Sequence, residues 1–164
     1  MLTKSLGTAQ QLLKVLLLAL ATAALAVGMD PVLGTWKLNP AKSSYKPGPA
    51  PKSQIRVYQA TREGTRVSVT TVNANGTTTV FQFDSNGDGK DYPVTGESDA
   101  DAVSMRKVTD LISESTLKHG DKVIASVLRE ISEDGKTMKM TYSGYTTWKG
   151  YEERISNIAV YDKQ

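Results

Sequence analysis

Asp84-Ser85-Asn86-Gly87-Asp88-Gly89 carries oxygen ligands at alternate positions and a glycine at the sixth, the opening of a calcium loop. The twelfth position, where a bidentate Glu would complete such a loop, is Thr95, and a hairpin turn needs the same residue types. His119 is the single histidine, in a Lys-His-Gly-Asp turn, and one imidazole cannot build a zinc site of the usual kind. The chain has no cysteine, no Gly-x-Ser-x-Gly elbow and no His-Glu-x-x-His pair, and Glu152-Glu153 point apart on any strand. No metal, cofactor or catalytic residue is assigned, and the expectation is a protein that is not an enzyme. The residues left to carry chemistry are those that could grip a polar group inside a fold: Arg129, Asn157 and Tyr161.

Those residues are positioned by strands. From Gln54 onward, β-branched and aromatic residues alternate with polar ones between Gly, Asn and Asp turns. The pattern predicts strands over Gly34–Leu38, Ser53–Thr61, Thr65–Asn73, Thr77–Phe83, Asp91–Thr95, Ala102–Val108, Leu111–Lys118, Lys122–Ile131, Thr137–Ser143 and Ile155–Tyr161. Asn75-Gly76, His119-Gly120-Asp121 and Glu133-Asp134-Gly135 are tight turns, so successive strands should be neighbours. Read as a turn, Asn75-Gly76-Thr77 needs no glycosylation. The fold class is all-β: a single antiparallel up-and-down barrel of about eight to ten strands, the first closing on the last to remove the exposed edges.

Alternation sets Phe81 with Phe83, Val103 with Met105, Met138 with Met140 and Tyr142, and Val123 with Ala125, Val127 and Arg129 on common faces. These faces either line a cavity, where methionine adapts to variable shapes, or fill the barrel. Arg129 either points inward or forms a surface ion pair. Trp36 is expected to seal one end of the barrel with its ring. Two connections stand out. Asn39 to Pro51 holds four prolines; it either caps a barrel mouth through Tyr45 or wraps the outside, the second being preferred. Gly144 to Arg154 carries Tyr145, Trp148 and Tyr151 and reads as a long loop over a barrel end.

Residues 1–26 have the layout of a secretory signal peptide: Lys4 and Lys14, the apolar run Val15 to Ala21, and Ala24-Leu25-Ala26 as a cleavage site. The run is shorter than the ~20 residues of a membrane span. The domain is then 27–164, and no integral span is expected in the mature chain. Loss of the leader takes the formal charge from +3 to +1, and the remaining Lys and Arg are interspersed with acids, which excludes a nucleic-acid face. Without cysteine the exported chain must be held by packing alone, and it offers no thiol for a lipid anchor.

Gly34-Thr35-Trp36 on the first strand, the meander, and a last strand Ile158-Ala159-Val160-Tyr161-Asp162-Lys163 together resemble the calycin superfamily of lipocalins and fatty-acid-binding proteins. The chain is more closely similar to small exported bacterial lipocalin-like proteins, through Gly34–Ser53 and Lys90–Gly96. The resemblance implies a barrel with a ligand inside. Fatty-acid-binding proteins place a carboxylate-binding Arg two residues before the last-strand Tyr, where this chain has Ala159. They also insert a helical pair where this chain has the proline segment. Trp36 to Ser43 is similar to bacterial isoprenoid-binding barrels, with Lys42 in place of their His.

Two functions follow. A periplasmic or secreted barrel would bind a small hydrophobic molecule unchanged, lined by Trp36, Phe81, Phe83, Met105, Met138, Met140 and Tyr142, with Arg129, Asn157 and Tyr161 holding a head group. Such a carrier requires a cavity of ~300 Å³ or more. Alternatively, a filled barrel would act through its loops on a protein partner, as protease inhibitors of similar architecture do.

Overall fold

The alternating pattern folds into eleven antiparallel strands: β1 Gly34–Leu38, β2 Ser53–Thr61, β3 Gly64–Val72, β4 Thr78–Ser85, β5 Asp88–Pro93, β6 Thr95–Gly96, β7 Ala102–Lys107, β8 Ile112–His119, β9 Lys122–Ile131, β10 Thr137–Trp148 and β11 Tyr151–Lys163. The computed structural model describes residues 29–148 and 151–164, so the expected leader lies outside the described residues. Among the described residues the only helical element is a 3-10 turn, Pro40–Lys42, capped by the Asn39 side chain. The strands form one sheet in the order β5-β7-β8-β9-β10-β11-β1-β2-β3-β4-β6, an almost closed barrel compatible with a calycin-like fold.

Closure of the first strand on the last is as expected: Trp36 pairs with Lys163 and Leu38 with Tyr161, while the other edge of β1 pairs with β2. The seam falls elsewhere, between β4 and β7. The chain spans it once, because β5 pairs with β7 and β6 then pairs with β4 through Phe81↔Gly96. The single strand expected at Asp91–Thr95 is thus split in two. Gly96 makes the crossing at a φ of 96°, and a Cβ there would run into the Val80 carbonyl and the Phe81 backbone.

Two further expectations are corrected. The connection Gly144 to Arg154 is not a loop: β10 and β11 run on as a hairpin to the pair Trp148↔Tyr151, beyond Gly144↔Ala125 where β9 ends its pairing. Glu152 and Glu153 accordingly lie on β11. At Gly144 the strands approach so closely that a side chain would collide with the Ile124 carbonyl. The proline segment does not merely wrap the outside. Ser44 exchanges two backbone hydrogen bonds of 2.8 Å with Ile158, and Lys46 accepts one from Ser156, so the segment takes a strand's place beside β11. Between those two residues Tyr45 packs against the core cluster.

The inward face is filled largely by apolar residues. Trp36, Val67, Val69, Val103, Met138 and Tyr161 are fully buried, each stabilising the barrel by roughly 1.5–3 kcal/mol through lost apolar surface. The Trp36 indole N–H donates to the Val32 carbonyl at 2.8 Å, and the Lys163 ammonium sits 5.0 Å from the ring centroid. Trp36 is fully buried in the same core cluster as Val32, with Leu33 packed against it.

Candidate functional site

On β2 the inward face carries Gln54, Arg56 and Tyr58, and the apolar Ile55 faces out, 42% exposed. On β9 the inward face carries Ala125, Val127, Arg129 and Ile131. The barrel therefore buries two guanidiniums, Arg56 and Arg129, each only 6% exposed. None of the ion pairs among the described residues involves either one.

Arg56 is held in a network. Its Nε donates to the Tyr58 hydroxyl at 3.2 Å, and its Nη1 lies 3.4 Å from Gln54 Oε1 and 3.5 Å from the Tyr142 hydroxyl. Gln54 is fixed in turn, accepting from the Tyr161 hydroxyl and donating to Thr71 Oγ1 at 2.8 Å. The Arg56 guanidinium also lies over the Tyr161 ring, 5.8 Å from its centroid.

Arg129 has much less support. Its guanidinium lies 5.5 Å from the Tyr58 ring centroid, Tyr58 is the polar side chain it meets, and its buried Nε has no hydrogen-bond partner. The other buried side-chain atom left without a partner among the described residues is Ser113 Oγ, and Ser113 pairs with Arg129 across β8 and β9. A buried polar group without a protein partner costs about 1–3 kcal/mol, more when charged, so the two atoms together are the least satisfied polar groups of the described core.

The phenols report the same field. Burial pushes Tyr58 upward, but the charges of Arg56 and Arg129 outweigh it and hold the phenol below its ordinary value. Tyr161 is raised well above the usual range by burial and by Tyr142, against the opposing charge of Arg56. Burial likewise raises Tyr142. Tyr45, in the proline segment, is pushed up to about 12 by burial and by Tyr142, with Arg56 opposing.

A cavity of about 60 Å³ connects these groups to an apolar region. Of the residues singled out in the sequence, Phe81, Phe83, Met105, Arg129, Met140 and Tyr142 line it. Trp36, Met138 and Tyr161 are sealed into the core instead, and Asn157 anchors the proline segment by accepting from the Lys46 amide at 2.8 Å. Val123, set by alternation on the Arg129 face, is 51% exposed because the β8–β9 register shifts at Leu117/Lys118. The volume is far below the ~300 Å³ set out for a carrier. A larger space of about 250 Å³ is an open groove at the base of the β10–β11 hairpin, lined by Val123, Tyr145 and Arg154 among others and not by Arg56 or Arg129.

Sequence reasoning missed Arg56, Tyr58, Gln54 and Ser113. The signal existed in the alternation Gln54-x-Arg56-x-Tyr58, but Ile55 and Val57 compete for the inward face and are the more apolar set. The calcium-like string proves to be a hairpin whose oxygens are engaged. Asp84 makes two bonds of 2.8 Å to Arg66, and Asp88 accepts from the Lys90 amide and the Tyr92 hydroxyl.

Comparison with known proteins leaves the geometry to speak for itself: no family model, no curated protein and no solved structure matches the chain.

Proposed function

We propose that this protein is an exported, lipocalin-like barrel, periplasmic or secreted, that binds a small hydrophobic molecule in its interior and releases it unchanged. The observation that carries the reading is the cavity. It joins an apolar wall of Phe81, Phe83, Met105 and Met140 to buried polar groups that lack partners. A barrel that merely filled itself would gain stability from an apolar residue at position 129, because replacing a poorly partnered buried ion by a hydrophobe of similar volume is often neutral or stabilising. The small empty volume fits a ligand that displaces side chains on entry. Met105 and Met140, each with flexible unbranched side chains, are suited to give way. Export rests on the leader-like pattern of residues 1–26.

The second reading, a filled barrel that grips a protein through its surface, is favoured by one observation. The β10–β11 hairpin projects past β9 with Tyr145 59% exposed beside the open groove.

Native mass spectrometry of the protein purified without detergent from a periplasmic fraction, followed by solvent extraction, separates the two. The carrier reading expects a reproducible added mass that extracts as a small lipid-like molecule. A clean protein mass, with no uptake from a mixed lipid extract, would replace it with the protein-binding barrel.

A further inference from the structure

We propose that the far end of β10, residues 145–148, pairs edge to edge with the same stretch of a second copy of this chain. The product is a two-fold symmetric dimer in which the two β10–β11 hairpins form one four-stranded ribbon. This goes beyond the interior-ligand reading above and stands independently of it.

The case starts from backbone groups. β10 pairs with β11 from Thr137 to Trp148, but its pairing with β9 ends at Gly144↔Ala125. From Tyr145 to Trp148 no strand among the described residues lies on the β9 side. There β9 follows β8 instead: the register shifts at Leu117/Lys118, after which Val123 pairs with Lys118 and Lys122 with His119. The space beside the edge is the open groove of about 250 Å³, with Val123 and Tyr145 each more than half exposed on its walls. A row of unpaired N–H and C=O groups on an extended strand is a template for another extended strand.

This edge also lacks the guards that the others carry. Sheets blunt an open edge with charge, with proline or by keeping it short. β5 carries Asp88, Lys90, Asp91 and Pro93. At the seam, β4 leaves only Thr78 and Thr79 beyond the bond from the Glu97 amide to the Val80 carbonyl. β2 overhangs β1 by Gln59–Thr61 alone and then meets Arg62 and Glu63. β11 holds Glu152, Glu153 and Arg154 in this stretch, and further along its edge is bonded to Ser44 and Lys46. Tyr145-Thr146-Thr147-Trp148 has no charge and no proline, and all four residues are types that favour strands.

The same features choose the occupant. An uncharged edge has no sign with which to select a charged partner, but it is complementary to itself. Two antiparallel copies about a two-fold axis exchange identical sets of donors and acceptors. Four residues a side make a small interface, so association is weak and set by concentration.

Sedimentation velocity of the purified protein from ~10 μM to ~1 mM, the range of a weak interface, is expected to show monomer passing to dimer. Over that range alternate amides between 145 and 148, those turned away from β11, should gain protection against hydrogen exchange. The amides of Gln59–Thr61 should not change. Thr146→Lys sets like charges across the shared edge and should weaken the dimer at least ~10-fold. Thr70→Lys, on the exposed outer face of β3, should leave it as in the parent. A protein that stays monomeric at every concentration overturns the proposal. So does a dimer in which residues 145–148 gain no protection, or one that Thr70→Lys weakens as much as Thr146→Lys. The exchange measurement needs no variant and decides the matter if Thr146→Lys fails to fold.

Discussion

Arg56 and Arg129 are equally buried in one barrel, yet their surroundings differ in kind. Around Arg56, β2 supplies Gln54 and Tyr58, β10 supplies Tyr142 and β11 the face of Tyr161, so most of the fork is used. Around Arg129, β8 supplies Ser113, whose hydroxyl is itself unpartnered, and the close polar group is Tyr58, already engaged by Arg56. The first arrangement stabilises the folded protein and aims the second; the second is tolerated by the fold rather than required by it. Stability and binding should therefore respond in opposite ways to the same substitution at the two positions.

The largest effect is expected at Arg56. Replacing it with Met strips the charge-assisted donors from Tyr58, Gln54 and Tyr142 and removes the cation beneath Tyr161, at a cost of about 2 kcal/mol in urea denaturation. The same change at Arg129 removes a buried charge whose Nε has no hydrogen-bond partner and should raise stability by ~1 kcal/mol or more. Equal losses at both positions would erase the distinction between a structural and a ligand-facing arginine.

The tyrosines extend the comparison to pH. Tyr45, Tyr142 and Tyr161 have folded values above the ordinary 10.0, Tyr45 reaching about 12, whereas Tyr58 lies below it. A raised phenol contributes stability that is complete below pH 10.0, because above it the unfolded chain releases a proton that the native state retains. That contribution is lost as pH rises toward the folded value. Three raised groups outweigh one lowered, so stability should fall by ~1 kcal/mol or more per pH unit above about pH 10. Tyr161→Phe should flatten that slope, and an unchanged slope would mean that burial does not hold the Tyr161 phenol above its ordinary value.

Much of this arrangement was legible in the chain before any coordinates. The alternation that puts Phe81 with Phe83 and Met138 with Met140 and Tyr142 survives intact, as does closure of the first strand on the last. What failed was decided by pairing at a distance. Tyr45 turns inward because Ser44 and Lys46 bond to β11, a partner more than a hundred residues away in sequence. Residues 144–148 and 151–154 extend because each strand finds the other, although the sequence alone reads as a loop there. Arg56 was hidden by a sound generalisation, that charge faces water and Ile or Val faces the core. A functional site is where that rule is expected to break.

The smallest effect tests whether Arg129 is as isolated as its geometry indicates. Burial works to raise the Asp30 carboxyl, yet it is held below its ordinary value by Lys107, by the Val32 amide and lastly by the charge of Arg129. Asp30 spends itself on Lys107 at 2.9 Å, a pair exposed enough to be worth under ~1 kcal/mol. Its lowered value contributes stability present above pH 3.8 and lost as pH falls through the folded value, so Asp30→Asn should flatten a shallow acid slope and cost little at pH 7. The decisive reading is the double variant that combines Asp30→Asn with R129M. If Arg129 answers to no carboxylate, the two effects add and the gain from R129M is the same with or without the Asp30 charge. If the gain instead grows by more than ~1 kcal/mol once that charge is removed, Asp30 has been serving Arg129 as a counter-ion at long range, and the contrast with Arg56 is one of degree.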